Sequence, residues 1–123
     1  MRLIPSDPLV AFDLGDVELR RGQPARALET LNRALDLDPS LLVAKWSRGR
    51  AYAELGGPDN DERAVEDLEA AVNCDTTGAL QFQLSQLYTK VGRDQEAREA
   101  EQRSRDLRQA AQQQKHAAEV KSP

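Results

Sequence analysis

Residues 8–39 of the chain read PLVAFDLGDVELRRGQPARALETLNRALDLDP, and this stretch decides the fold because it predicts two helices joined by a tight turn. Asp7 offers a side-chain oxygen to the unpaired amides of the first helix, and Pro8 occupies a first-turn position where its missing N–H costs nothing. Gly22 favours a left-handed stop, and Pro24 then starts a second helix. The closing Asp-Pro pair ends that helix, because a residue before proline is pushed out of the helical region. The stretch therefore predicts an antiparallel helical hairpin.

The hairpin pattern returns twice further along the chain. Gly15 and Gly49 are 34 residues apart, and Ala27 returns as Ala64 after 37 residues. The three extra residues fall in the segment 57–61, where a turn absorbs an insertion at low cost. A third copy is marked by four residues at corresponding positions, Leu84, Tyr88, Gly92 and Ala97. A period near 34 residues, with small residues at helix crossings, is typical of a helical repeat array.

This pattern resembles the tetratricopeptide repeat over about residues 8–107. The first repeat supplies six of the family's positions, Leu14, Gly15, Ala27, Leu31, Ala34 and Pro39. Other residues depart from the family pattern, namely Ala11 and Glu18 in the first repeat, Arg48 and Thr76 in the second, and Glu101 and Ser104 in the third. The resemblance implies an all-α fold, a right-handed superhelical stack of three antiparallel helix hairpins (an α-solenoid) with a longer C-terminal helix.

Three segments follow from this interpretation. We predict a leader over 1–6, a three-repeat domain over 7–108 and a polar tail over 109–123 that is helical or frayed. The repeats are expected over 8–41, 42–77 and 78–108. The helices are expected near 8–21, 24–37, 41–55, 61–74, 78–91 and 94–112. The last helix is expected to overrun its repeat, because the tail is rich in Ala and Gln and has high helix propensity.

Composition agrees with close-packed helices. Hydrophobic residues make up 39% of the 123 residues and aromatic residues only 4%, so the core must come mainly from Leu, Ala and Val. Charged residues make up 31%, which suits solvated outer faces. The formal net charge of −4 gives no general attraction for nucleic acid or anionic lipid. A single soluble domain is therefore expected, with neither a nucleic acid nor a membrane as its partner.

The leader has far too few apolar residues for a signal peptide, and no run approaches a membrane span. This favours a cytoplasmic location. The single cysteine, Cys74, excludes an internal disulfide and is expected to pack rather than react. His116 is expected to face solvent. The sequence has no Gly-rich phosphate loop and no pair of His at metal spacing, so we expect a non-catalytic protein without a cofactor or a metal.

The resemblance places function on the first helix of each hairpin, which lines the concave surface in this family. Side chains three or four residues apart form one stripe on each such helix. The predicted partner-binding residues are Leu9, Phe12, Asp16 and Leu19 on the first, Val43, Trp46 and Arg50 on the third, and Phe82 and Gln86 on the fifth helix. Three of the five aromatic residues, Phe12, Trp46 and Phe82, fall at equivalent positions. The prediction is a groove that binds a protein or peptide segment, although the rings could instead cover the core.

Alternative functions remain open at this point. The chain could be a self-association module that forms a homodimer, or an interaction arm of a larger enzyme or secretion assembly. Chaperone-binding members of the family clamp a C-terminal carboxylate with cationic side chains and Asn. The matching positions here carry Phe12, Asp16, Ser47, Ala79 and Gln83, which argues against a chaperone C-terminal tail as the partner.

Overall fold

The computed structural model describes residues 2–121, with the backbone alone for Lys121. Within these residues all regular secondary structure is helical, and no strand is present. The helices are α1 (Pro8–Arg20), α2 (Pro24–Leu37), α3 (Leu42–Leu55), α4 (Pro58–Ala70), α5 (Ala79–Lys90) and α6 (Asp94–Lys121), with a 3₁₀ turn at Val72–Cys74. The predicted all-α class is confirmed. Met1 of the predicted leader and the last two residues of the predicted tail lie outside the described residues.

The chain divides into two compact units. The first contains two hairpins, α1 with α2 and α3 with α4, and α3 also packs against α2 and α1. Its core is made mostly of small and aliphatic side chains, Ala11, Leu19, Ala27, Leu31, Ala34, Leu35, Ala44 and Ala51. The second unit is the hairpin of α5 and α6. The grouping of all three repeats into one domain over 7–108 stays a prediction.

The first hairpin begins and turns as its sequence predicts. The Asp7 carboxylate accepts hydrogen bonds from the backbone amides of Leu9 and Val10 at 2.9 and 3.2 Å, with Pro8 at the first helical position. Gly22 has a φ of +74°, a left-handed value that glycine adopts without strain. The amide of Gly22 donates to the carbonyl of Leu19 at 3.0 Å, which closes the end of α1.

The fourth and sixth helices differ from the predicted bounds. Helix α4 begins at Pro58 and ends at Ala70, where 61–74 was predicted. Proline suits the first position of a helix, and Asp59 and Asp61 in the first turn complement its positive end. Helix α6 continues to Lys121, well past the predicted 112, because most of its residues there are Ala, Gln, Lys or Glu, which favour helix.

A buried aspartate starts α5. The Asp75 carboxylate is 7% exposed and accepts hydrogen bonds from the amides of Gly78 at 2.8 Å and Gln81 at 2.9 Å. Thr76 stands where the family has a proline. In this chain the 3₁₀ turn and the Asp75 carboxylate lie between the end of α4 and the start of α5 instead.

Candidate functional site

The predicted stripe on α1 is exposed at its start and buried at its end. Leu9 is 58% exposed, whereas Phe12 is half-buried and packs against the core of the first unit. Leu19 is 2% exposed and belongs to that core, so, contrary to the prediction, its side chain is not accessible to a partner. The physical reason is helical drift: at 3.6 residues per turn, Leu19 lies about 80° around the helix from Leu9.

Asp16 links α1 to α3. Its carboxylate accepts a hydrogen bond from Arg20 at 2.8 Å and a longer one from the hydroxyl of Ser47 at 3.5 Å. Asp16 is half-buried, while Ser47 is 5% exposed. The carboxylate therefore sits at the junction of the two helices, with its position set from both sides.

The stripe on α3 lies beside that of α1 in the same unit. Val43 is 37% exposed, and Trp46 and Arg50 are half-buried. We call the six accessible residues of the two stripes, Leu9, Phe12, Asp16, Val43, Trp46 and Arg50, the α1–α3 surface. It combines apolar side chains with one carboxylate and one guanidinium. Such a mixture of apolar and polar groups is typical of protein interfaces.

The predicted residues of α5 lie in the second unit. Phe82 is 45% exposed and Gln86 is also exposed. Both line an open groove of about 400 Å³ between α5 and α6, together with Ser85, Thr89, Asp94, Ala97, Arg98 and Glu101. Six of these eight lining residues are polar or charged, and Phe82 and Ala97 are the other two.

The first unit contains two clusters of charged side chains whose contacts were not predicted from the sequence. Arg48 donates two hydrogen bonds of 2.8 Å to the Asp67 carboxylate and a third, of 3.1 Å, to the side chain of Asn32 on α2. The bond to Asp67 raises the pKa of Arg48 above its usual value against the opposing effect of burial. The guanidinium also lies 6.0 Å from the Tyr52 ring centroid. Arg48, recorded above as a departure from the family, thus ties three helices together.

The second cluster surrounds Glu18, which is 6% exposed. Its carboxylate accepts hydrogen bonds of 2.6 Å from both Arg2 and the Thr30 hydroxyl. Sequence reasoning missed this contact because Arg2 lies 16 residues away in a segment with no periodic pattern.

Neither a metal-ligand group nor a membrane-spanning helix is found in the part of the chain that the structure describes. Residues 2–121 contain no group of three or more His, Cys, Asp or Glu side chains placed to hold a metal ion. Among the same residues, every helix is too short or too polar to cross a bilayer. Cys74 is half-buried and His116 is exposed.

Comparison with known proteins is consistent with this geometry. The family model described as "Tetratricopeptide repeat" matches residues 10–41. A curated relative, the TPR repeat-containing thioredoxin TTL4 of Arabidopsis thaliana, is 35% identical over 85 residues. That match covers 68% of this chain but only 12% of the relative, so the chain spans about an eighth of the relative's length.

Solved structures of MamA share the fold. One superposes with a TM-score of 0.74 at 23% identity over 84% of this chain and 59% of MamA. The MamA RS-1 ArsTM double mutant superposes with a TM-score of 0.76 at 20% identity, and the match covers 87% of this chain and 59% of the mutant's chain. Fold and surface together define an all-helical repeat protein of the α-solenoid class, as predicted. The match over residues 10–41 identifies the tetratricopeptide-repeat family, whose members serve generally as protein–protein interaction modules.

Proposed function

We propose that the chain binds a peptide or protein segment on the α1–α3 surface. The observation that carries the proposal is the exposure of Leu9 and Val43, at 58% and 37%, beside the half-buried rings of Phe12 and Trp46. Apolar side chains next to partly buried aromatic rings form the kind of anchor that dominates binding energy at interfaces. Asp16 and Arg50 would orient the ligand, since each offers one charge at the edge of the apolar area.

The character of the ligand follows from these charges. On α1 the surface offers the Asp16 carboxylate, already paired with Arg20, and not a cation that would bind a terminal carboxylate, which argues against a chaperone C-terminal tail. An internal segment with alternating or helically spaced apolar side chains suits the surface better. The same apolar residues could instead pair two copies of the chain, and this self-association is the alternative function. The proposed activity is binding alone.

The test is selection of peptides on the immobilised chain followed by binding measurements on individual peptides. Selected peptides should be rich in apolar residues, and their binding should change the fluorescence of Trp46, the single tryptophan. V43D should weaken their affinity by about tenfold or more, because it places an uncompensated charge among the apolar contacts.

V120D is the matched control, because Val120 is 69% exposed on α6 and lies outside the α1–α3 surface. It should leave the affinity unchanged within about twofold. Equal weakening by V43D and V120D, or selected peptides that bind without affecting Trp46, would contradict the proposal. A concentration-dependent doubling of mass in light scattering that V43D abolishes would favour self-association instead.

A further inference from the structure

The segment before α1 is held against the first hairpin by specific contacts. Residues 2–5 have no regular secondary structure, and Ile4 packs against the core of the first unit. Arg2 reaches into the hairpin, and its side chain is 20% exposed. A non-helical segment is thus anchored to the hairpin by an arginine and by an aliphatic side chain two residues later.

The arginine enters a pocket whose hydrogen-bond acceptors contact both terminal nitrogens of its guanidinium. One guanidinium nitrogen of Arg2 donates to the Glu18 carboxylate at 2.6 Å, and the other donates to the Thr30 hydroxyl at 2.7 Å and to the carbonyl of Arg26 at 3.1 Å. Thr30 is fully buried and in turn donates to Glu18 at 2.6 Å. Glu29, at 3.6 Å, adds a second negative charge at the exposed rim. We call these four residues, Glu18, Arg26, Glu29 and Thr30, the arginine pocket.

The pocket selects for a guanidinium by geometry as well as charge. Its acceptors are a carboxylate oxygen, a hydroxyl and a main-chain carbonyl, which contact both terminal nitrogens of a planar group. A lysine ammonium is a single compact centre and cannot reach these acceptors in the same way. The family has an aromatic residue at the position of Glu18, so the buried acid that builds the pocket is a feature of this chain's own sequence.

We propose that this face of α1 and α2 is a second peptide-binding site, which takes an Arg-x-aliphatic segment of a partner protein, and that residues 2–6 occupy it as an internal ligand. Charge complementarity between the guanidinium and the carboxylates of Glu18 and Glu29 defines the occupant. Because the internal ligand is tethered, its effective concentration is high, so a partner segment binds appreciably once the internal one is released. This site is independent of the α1–α3 surface.

The experiment uses the full chain with two substitutions, R2A and I4A, which vacate the site. The probe is the acetylated and amidated peptide Arg-Leu-Ile-Pro-Ser, titrated into the isotope-labelled protein by NMR. We expect saturable shifts of amides in α1 and α2, with an affinity at least tenfold higher for the vacated chain than for the unaltered one. The peptide Arg-Ala-Ile-Ala-Ser should bind comparably, whereas Ala or Lys in place of its Arg should weaken binding about tenfold or more.

Two glutamate substitutions in the vacated chain locate the binding. E18Q should weaken binding of the peptide about tenfold, while E29Q at the exposed rim should change it less than threefold. Absence of saturable shifts in a vacated chain of native helicity, or equal binding of the Arg and Ala peptides, would overturn the proposal. A dimer of the unaltered chain that the vacated chain does not form would also overturn it, because the occupant would then be a second copy.

A measurement on the otherwise unaltered chain covers the case in which the vacated variant fails to fold. Trypsin must capture the Arg2 side chain to cleave after it, so cleavage follows the population in which the pocket has released it. E18Q should accelerate this cleavage several-fold over the wild-type chain, as measured by mass spectrometry, while E29Q should not. Identical rates in the three proteins would contradict an arginine held by the pocket.

Discussion

Replacement of Gly78 by alanine should destabilise the second unit by about 3–5 kcal/mol, the largest effect we expect from removing or adding one carbon atom in this chain. Gly78 has a φ of +90°, which costs an L-residue about 1–2 kcal/mol. A Cβ at this position would also lie 2.4 Å from the carbonyl oxygen of Ser104. That oxygen belongs to the backbone of α6, so the clash can be relieved only by moving one helix away from the other.

Gly92 provides a matched control for the backbone term. Its φ is +84°, and a Cβ there would meet no atom within 4 Å. G92A should therefore cost only about 1–2 kcal/mol, from the backbone conformation alone. Urea unfolding followed by circular dichroism would give both values, and hydrogen exchange of α5 amides would assign the loss to the second unit. Equal losses for G78A and G92A would show that the close approach of α5 to α6 contributes nothing.

The same contact explains why part of the fold could not be predicted. Ser104 departs from the family pattern, yet it is 1% exposed and its hydroxyl donates to the carbonyl of Gly78 at 2.8 Å. A serine is small enough for the crossing and satisfies a carbonyl at the start of α5. The structural role of Ser104 depends on Gly78, 26 positions earlier in the chain. Periodicity within one helix carries no information about such a pair.

Helix ends were predictable where one residue decides them. The Asp7-Pro8 pair and Gly22 act through local backbone geometry, so the bounds of the first hairpin follow from sequence within one residue. The start of α4 was missed because Gly57-Pro58 and the polar residues after it were interpreted as a loop. Pro24 begins α2 in the same way, and that parallel was the available signal.

Sequence spacing predicted the helical face on which the candidate site residues lie, but it did not predict how deeply each side chain is buried. Spacing of three and four residues placed Leu9 and Val43 on accessible stripes, and both are exposed. The same spacing grouped Leu19 with them, although it is buried beneath the neighbouring helix. Whether the α1–α3 surface binds a partner stays a proposal. Glu18 shows a further limit, since its role depends on Arg2, a residue outside the repeat.

The two members of the Arg48–Asp67 ion pair should differ in how much their removal destabilises the protein. R48A is expected to destabilise the protein by about 2–4 kcal/mol, because it leaves the Asp67 carboxylate, whose side chain is only 7% exposed, without its charged partner. D67A should cost less, about 1–2 kcal/mol, since the Arg48 side chain is 24% exposed and can turn its charge to water. The comparison needs only urea unfolding of the two single variants.

The third repeat suggests a double variant that removes the penalty. At the positions corresponding to Arg48 and Asp67 it has Leu84 and Ala100, which are 2% and 0% exposed. An apolar pair is thus compatible with this hairpin architecture. R48L/D67A transplants that pair into the second repeat, and replacing both members of a buried ion pair by apolar groups is often nearly neutral. The double variant should therefore be at least as stable as R48A.

The double-mutant cycle of R48L, D67A and R48L/D67A measures the coupling directly. A coupling of about 1–3 kcal/mol is expected, because each single change leaves a charge or a hydrogen-bonding group that the double change removes. Additive effects would mean that the pair contributes no more than its separate contacts.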